Sequence, residues 1–261
     1  MRALSIAATG MAAQQKRVEV ISHNIANSNT TAYNARRAEF SDLHYQQVVT
    51  PGSISSADGT VIPAGVQLGL GVRTSAVSMH VQQGALRETN GALDIAVDGQ
   101  GYLEVTLPNG EAAYTRDGAL KRNGEGLIVT NDGFAVVPDV TIPEETVSLT
   151  INADGEIYAL FEDQIEPQLL GQFSLVTFIN QKGLEAMGDN LYRETEASGQ
   201  PNVGDAGEDG RGIFRQGYLE ESSVDAVREL TDLIEAQRGY ELNSKVITAS
   251  DQMLSATVQI R

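Results

Sequence analysis

The chain has 261 residues, no cysteine, no tryptophan and a formal charge of −17 at pH 7. That length allows one large domain or two smaller ones with a true core. The missing cysteine excludes disulfides, thiolate zinc sites, iron–sulfur clusters and cysteine nucleophiles. The charge is uneven: residues 1–50 hold Arg2, Lys16, Arg17, Arg36 and Arg37 against Glu19, Glu39 and Asp42, which is +2, so the remainder carries −19. An acidic body disfavours nucleic acid and anionic lipid. No stretch approaches the roughly 20 apolar residues that span a bilayer, so direct membrane insertion is not expected. Arg2 and the small residues to Ala13 weakly imitate a secretory signal, but Thr9, Gly10 and the scarcity of large apolar side chains argue against a cleaved one.

Leu4, Ala7, Met11, Gln14, Val18, Ile21 and Ile25 follow the alternating three-and-four spacing of one helix seam. The predicted helix runs from about Ala3 to Asn27, on the order of 40 Å, with Gly10 costing it about 1 kcal/mol. It ends in Asn27-Ser28-Asn29-Thr30-Thr31, residues that favour caps and turns. Residues 31–72 are expected to form an extended linker and arm. Tyr33–Tyr45 reads as irregular or partly extended. From Gln46 to Gly71 the chain is turn-rich, with Pro51-Gly52, Asp58-Gly59, Pro63 and Gly69-Leu70-Gly71. Such a stretch builds no core of its own; it is either a mobile surface loop or an arm that orders against neighbours.

Residues 73–221 read as a mainly antiparallel β domain, because β-rich runs alternate with turn pairs at Asp98-Gly99, Asn109-Gly110, Asp117-Gly118, Asp132-Gly133 and Asp154-Gly155. Strands are predicted at 102–107, 127–129, 134–137, 147–151, 157–161 and 173–178, and Ser198–Gly212 is read as a loop. The last helix, within 222–261, is predicted to start near Ser222-Ser223, where Ser222 and Asp225 stand at capping-box spacing. Leu233, Tyr240, Ile247 and Leu254 recur every seven residues, with Val246, Met253 and Ile260 as a second row, and Gly239 marks a candidate bend. Residues 1–30 and 222–261 are therefore read together as a coiled-coil domain, giving an α+β fold whose terminal helices need partners.

Little chemistry emerges. His23, His44 and His80 stand in unrelated contexts without metal-ligand spacing, and Gly99-Gln100-Gly101 and Gly69-Leu70-Gly71 lack the third glycine and the strand-to-helix setting of a dinucleotide site. Adjacent acids such as Glu144-Glu145 or Glu208-Asp209 are expected by chance among 35 carboxylates. No convergent catalytic set appears, so no enzyme activity, cofactor or metal is expected.

The phrases Asn24-Ile25-Ala26-Asn27-Ser28-Asn29-Thr30-Thr31-Ala32-Tyr33 and Glu235-Ala236-Gln237-Arg238-Gly239-Tyr240-Glu241-Leu242-Asn243-Ser244-Lys245 resemble the rod motif and C-terminal signature of the flagellar rod and hook axial proteins. Asp98–Tyr102, Ala113–Gly118 and Gln216–Glu220 match phrases common to that family, so the likeness covers essentially the whole chain. The stretch from Gln46 to Val72 looks like the insertion typical of the distal rod branch, with Gln46, Pro51, Gly52, Pro63, Gly69 and Gly71 marking it. The family usually has glycine where Ala32 stands, a basic residue where Asn34 stands and alanine where Gly239 stands.

The resemblance implies a structural subunit that polymerises into the distal rod, a rigid hollow shaft carrying torque from motor to hook. It implies export through the flagellar type III apparatus without a cleaved signal, and assembly in the periplasm up to the outer membrane. Partners would be further copies of the chain, proximal rod proteins below, hook subunits above and the surrounding P and L ring proteins. The self-assembly seam would comprise Leu4, Met11, Val18, Ile21, Ile25, Leu233, Tyr240, Ile247 and Leu254, and Asn24, Asn27, Thr30 and Tyr33 would shape the rod motif. A proximal rod or hook subunit of the same family and a coiled-coil-stalked surface adhesin stand as alternatives.

Overall fold

The computed structural model describes residues 2–51, 64–162, 164 and 166–259. Within the arm, Gly52 and Pro63 lie outside the described residues, as does Ile260 of the second row. The fold is α+β, with a helix near each end and antiparallel strands between them. The chain divides into two compact units, one of residues 1–26, 36–79 and 225–261 and one of residues 27–35 and 80–224.

In the helical unit, α1 spans Arg2–Ala26 and α2 spans Ala226–Gln259. α2 begins where the Asp225 carboxylate accepts the N–H groups of Val227 and Arg228 at 3.0 and 3.2 Å. Asp225 is thus the N-cap and not the third position of a box opened by Ser222, whose hydroxyl accepts Val224 N–H instead. α2 runs through Gly239 without interruption of its helical assignment.

Between the helices the same unit carries a two-stranded ribbon. Arg36–Asp42 pairs antiparallel with Val72–Met79, and Tyr45–Val49 pairs with Val66–Gly69. The expected boundary at 72/73 therefore falls inside a strand, and the stretch expected as an extended, turn-rich arm carries a paired hairpin stem. The ribbon lies against α1 at Gly71, whose φ of 119° and close approach to Thr9 admit no side chain: a Cβ there would stand 2.2 Å from the Thr9 hydroxyl. That hydroxyl also accepts Val72 N–H.

The β unit is built on a seven-stranded antiparallel sheet in the order 185–188, 191–193, 112–115, 103–106, 135–136, 128–129, 121–122. A three-stranded sheet of 146–151, 156–161 and 168–172 and three two-stranded pairs complete it. One of these pairs joins Leu175–Thr177 to Asn202–Gly204, inside the stretch read as a loop. Ile95, Leu103, Val105, Ile128, Ile157 and Phe173 form the heart of one apolar core. Alternation along Leu103–Thr106 and Glu156–Phe161 puts every second side chain into it. Eight cationic and 25 acidic residues fall in this unit, so it carries the entire −17, while the helical unit holds ten of each sign and is neutral.

Candidate functional site

α1 and α2 pair antiparallel in constant register. The Asn24 amide donates to Glu229 Oε1 at 3.2 Å, and Arg17 reaches Asp232 and Glu235 at 3.0 and 3.1 Å. A Cβ on Gly239 would stand 3.1 Å from the Gln14 amide, and one on Gly10 would stand 2.9 Å from the Asn243 side chain. The inward line is thus Gly10, Gln14, Arg17, Ile21 and Asn24 on α1, facing Glu229, Asp232, Ala236, Gly239 and Asn243 on α2. Both lines keep a three-and-four spacing, but apart from Ile21 their members are small or polar. Small residues let the backbones approach closely, and the ion pairs and amides fix which residue faces which.

Of the larger apolar residues picked out from the sequence, Ile21 lies on this seam and the others flank it. Ile21 is buried, and Leu4, Met11, Val18, Ile25, Leu233 and Ile247 are half-buried, whereas Tyr240 and Leu254 are exposed. The seven-residue row on α2 stands one position from the line that faces α1, because Asp232 and Gly239 take the inward positions. Since Gly10 faces Asn243, Arg2 falls opposite about residue 251, and the last turns of α2, with Leu254, run past the start of α1. Val227, Leu230, Ile234 and Leu242 are half exposed or more, with Val246 slightly less so. This apolar surface was not anticipated; the first three recur at three-and-four spacing, a signal masked by the stronger seven-residue row.

The rod-motif residues are structural fasteners. Asn24 is buried, with Oδ1 accepting Arg36 N–H and Nδ2 donating to Arg36 O, both at 2.8 Å, so its amide completes a strand-like pair with the start of the ribbon. In the β unit Thr30 donates its hydroxyl to Asn27 Oδ1 at 3.1 Å, and the Tyr33 carbonyl accepts Ser223 N–H at 3.0 Å. Between them Ala32 adopts a φ of 53°, a left-handed conformation where glycine is the usual occupant. In the arm, Gln46 lies in the strand Tyr45–Val49, Pro51 follows it, and Gly69 lies beneath the Tyr45 ring.

Burial raises the pKa of Glu229 above the usual carboxylate range, and the Asn24 hydrogen bond only partly offsets it. Nothing in the arrangement resembles a catalytic or metal centre: among the described residues no His, Asp and Glu cluster has the geometry to hold a metal ion, and no helix is long and apolar enough to cross a membrane.

Comparison with known proteins accounts for a site made of surfaces. Three family profiles match: "Flagella basal body rod protein" over residues 4–33, "Flagellar hook protein FlgE/F/G D1 domain" over 96–159 and "Flagellar basal body rod FlgEFG protein C-terminal" over 215–260. The flagellar basal-body rod protein FlgG of Caulobacter vibrioides is 51% identical over 100% of both chains. That of Agrobacterium fabrum is 48% identical over 98% of this chain and 97% of its own. The flagellar hook-basal body complex protein FlhP of Bacillus subtilis is 34% identical over 100% of both. Similarity of this kind along the full length sets aside the adhesin reading. The chain belongs to the flagellar basal-body rod protein family and is a structural subunit of the rod.

Proposed function

We propose that the chain polymerises into the distal part of the flagellar rod, a straight hollow shaft that carries torque from motor to hook, and that it has no enzymatic role. The observation that carries this reading is the inverted helix pair: small and polar residues face inward, while Val227, Leu230, Ile234 and Leu242 remain on the outside. A monomer gains nothing from displaying such residues, whereas head-to-tail contacts that do not close would bury them along an open helical polymer. In that polymer the two helices act as a coiled-coil element of an inner tube, and the β unit lies outside it.

The charge division supports the same arrangement. A neutral helical unit stacks without repulsion, while an outer unit bearing −17 stays hydrated beside the P and L rings. Proximal rod subunits below and hook subunits above are the remaining neighbours. Delivery to the periplasm is by the flagellar type III apparatus. Electron microscopy of the purified chain across a concentration series tests the proposal. Tubes of rod-like width are expected; monodisperse particles at every concentration would refute it.

A further inference from the structure

Four of the five phrases that carry the family resemblance meet at one buried point in the β unit. Chain crossings at 26/27, 35/36, 79/80 and 224/225 make 27–35, 80–85 and 220–224 the segments through which force enters this unit along the covalent chain. Behind them Arg116 and Glu220 form an ion pair with side chains 8% and 4% exposed. The guanidinium also donates to the carbonyls of Gly101, Gly99 and Val97 at 3.0, 2.7 and 3.2 Å, so it closes the turn 97–101 from within.

Glu220 then gathers the segments. Its Oε1 accepts Gly84 N–H at 2.9 Å, and its backbone carbonyl accepts Ala32 N–H at 2.8 Å. Next to it Glu221 N–H donates to Ala85 O, Ser223 N–H donates to Tyr33 O, and the Ser223 hydroxyl accepts Ala35 N–H. Gly84 is pressed so closely that a Cβ would stand 1.9 Å from the Glu221 carbonyl. A buried ion pair gives little net stability compared with an apolar pair of the same shape. Its special property is position, because one carboxylate oxygen holds Gly84 and the other holds Arg116, whose two remaining nitrogens hold the turn 97–101.

We infer that Arg116 and Glu220 are the common anchor by which the β unit grips all three segments, so that load applied through any of them is delivered to this pair and to the turn it closes. The mechanical consequence rests on the shaft reading; the anchoring itself does not. An anchor and a merely stabilising pair differ in what their loss releases: the first frees the segments, the second loosens the whole unit together.

Hydrogen exchange on the full chain separates them, comparing wild type with Glu220→Gln and with Arg116→Met/Glu220→Gln. The amides of Ala32, Gly84 and Ser223 should exchange at least about tenfold faster, while those of Ile128, Val137 and Phe173, bonded to Val140, Glu104 and Gly155 in the core, change by less than about twofold. Unchanged segment amides would overturn the inference, and so would an equal rise in the core. Glu220→Gln removes the charge that pairs with Arg116 at nearly unchanged size and supplies the answer should the double variant not fold. Tubes assembled from Glu220→Gln should bend more readily than wild type, and equal stiffness would overturn the mechanical consequence. Failure of the wild type to form tubes counts against the shaft reading alone.

Discussion

Replacing Gly239 by alanine should stabilise the helical unit, and replacing it by leucine should break the helix pair. Glycine in a helix interior costs about 1 kcal/mol relative to alanine. An alanine Cβ would stand 3.1 Å from the amide carbon and nitrogen of Gln14, a contact that needs a shift of a few tenths of an ångström. The group that must move is the tip of a flexible side chain whose Oε1 is buried without a partner, so moving it forfeits no hydrogen bond at that atom. The net gain for alanine is about 0.5–1 kcal/mol, read as a rise of about 2–4 °C in a thermal melt followed by far-ultraviolet circular dichroism. Leucine places three further carbons at the closest approach of the helices, and overpacking of this kind costs about 1–3 kcal/mol. Tyr240→Leu, next in sequence but exposed, should stay within about 0.5 kcal/mol of wild type. A leucine variant at 239 melting as high as the alanine variant would show that α1 and α2 do not meet there.

Ala32→Gly should stabilise the β unit by about 0.5 kcal/mol, read as a higher melting temperature, since it relieves a left-handed residue at φ 53°; a lower melting temperature would mean that the buried methyl outweighs the strain. Asp117 titrates above its ordinary value chiefly because it is buried, with Asp132 and Asp94 pushing the same way against the hydrogen bonds from Ala119 N–H and Asn190. The folded state thus holds a proton that the unfolded chain releases, so stability falls as pH rises from the ordinary carboxylate value through the raised one. Denaturant melts from about pH 4 to 7 should show a shallower fall for Asp117→Asn, and an identical slope would exclude this residue as the source. Leu4→Asp, Met11→Asp or Val18→Asp should leave the β unit folded and abolish tube formation, because each puts an unpaired charge beside the helix seam; normal tubes by microscopy would refute that placement. Deleting about Gln46 to Val66 should preserve folding but yield more flexible tubes; unchanged stiffness would remove the arm from the mechanics.

The terminal helices were legible because large apolar residues recur with helical spacing, and the hairpin turns because Asn-Gly and Asp-Gly supply backbone conformations few other pairs reach. The true seam between the helices was not legible. Gly10, Gln14, Asp232, Gly239 and Asn243 look like surface residues until a second helix lies against them, and only then does small size become an advantage. The ribbon escaped for a related reason: the half-buried positions 36 and 38 hold arginine and alanine, and a register shift between Glu39 and Phe40 interrupts the alternation, so no apolar in-and-out pattern announces a half-buried strand. Arg116 and Glu220 were hidden by their charge, since nothing local shows that partners over 100 residues away will desolvate them together. Asn24 stood out only through resemblance; its reciprocal bonding to the Arg36 backbone belongs to tertiary structure.

The central claim is that the outward apolar face of α2 is closed by other copies of the chain. Because the natural chain has no cysteine, Ile234→Cys carries a spin label at a single site on that face. The label should be mobile and open to reagents in the monomer, then immobilised and protected in assembled tubes. A label as mobile in tubes as in the monomer would show that this face is not what joins the subunits.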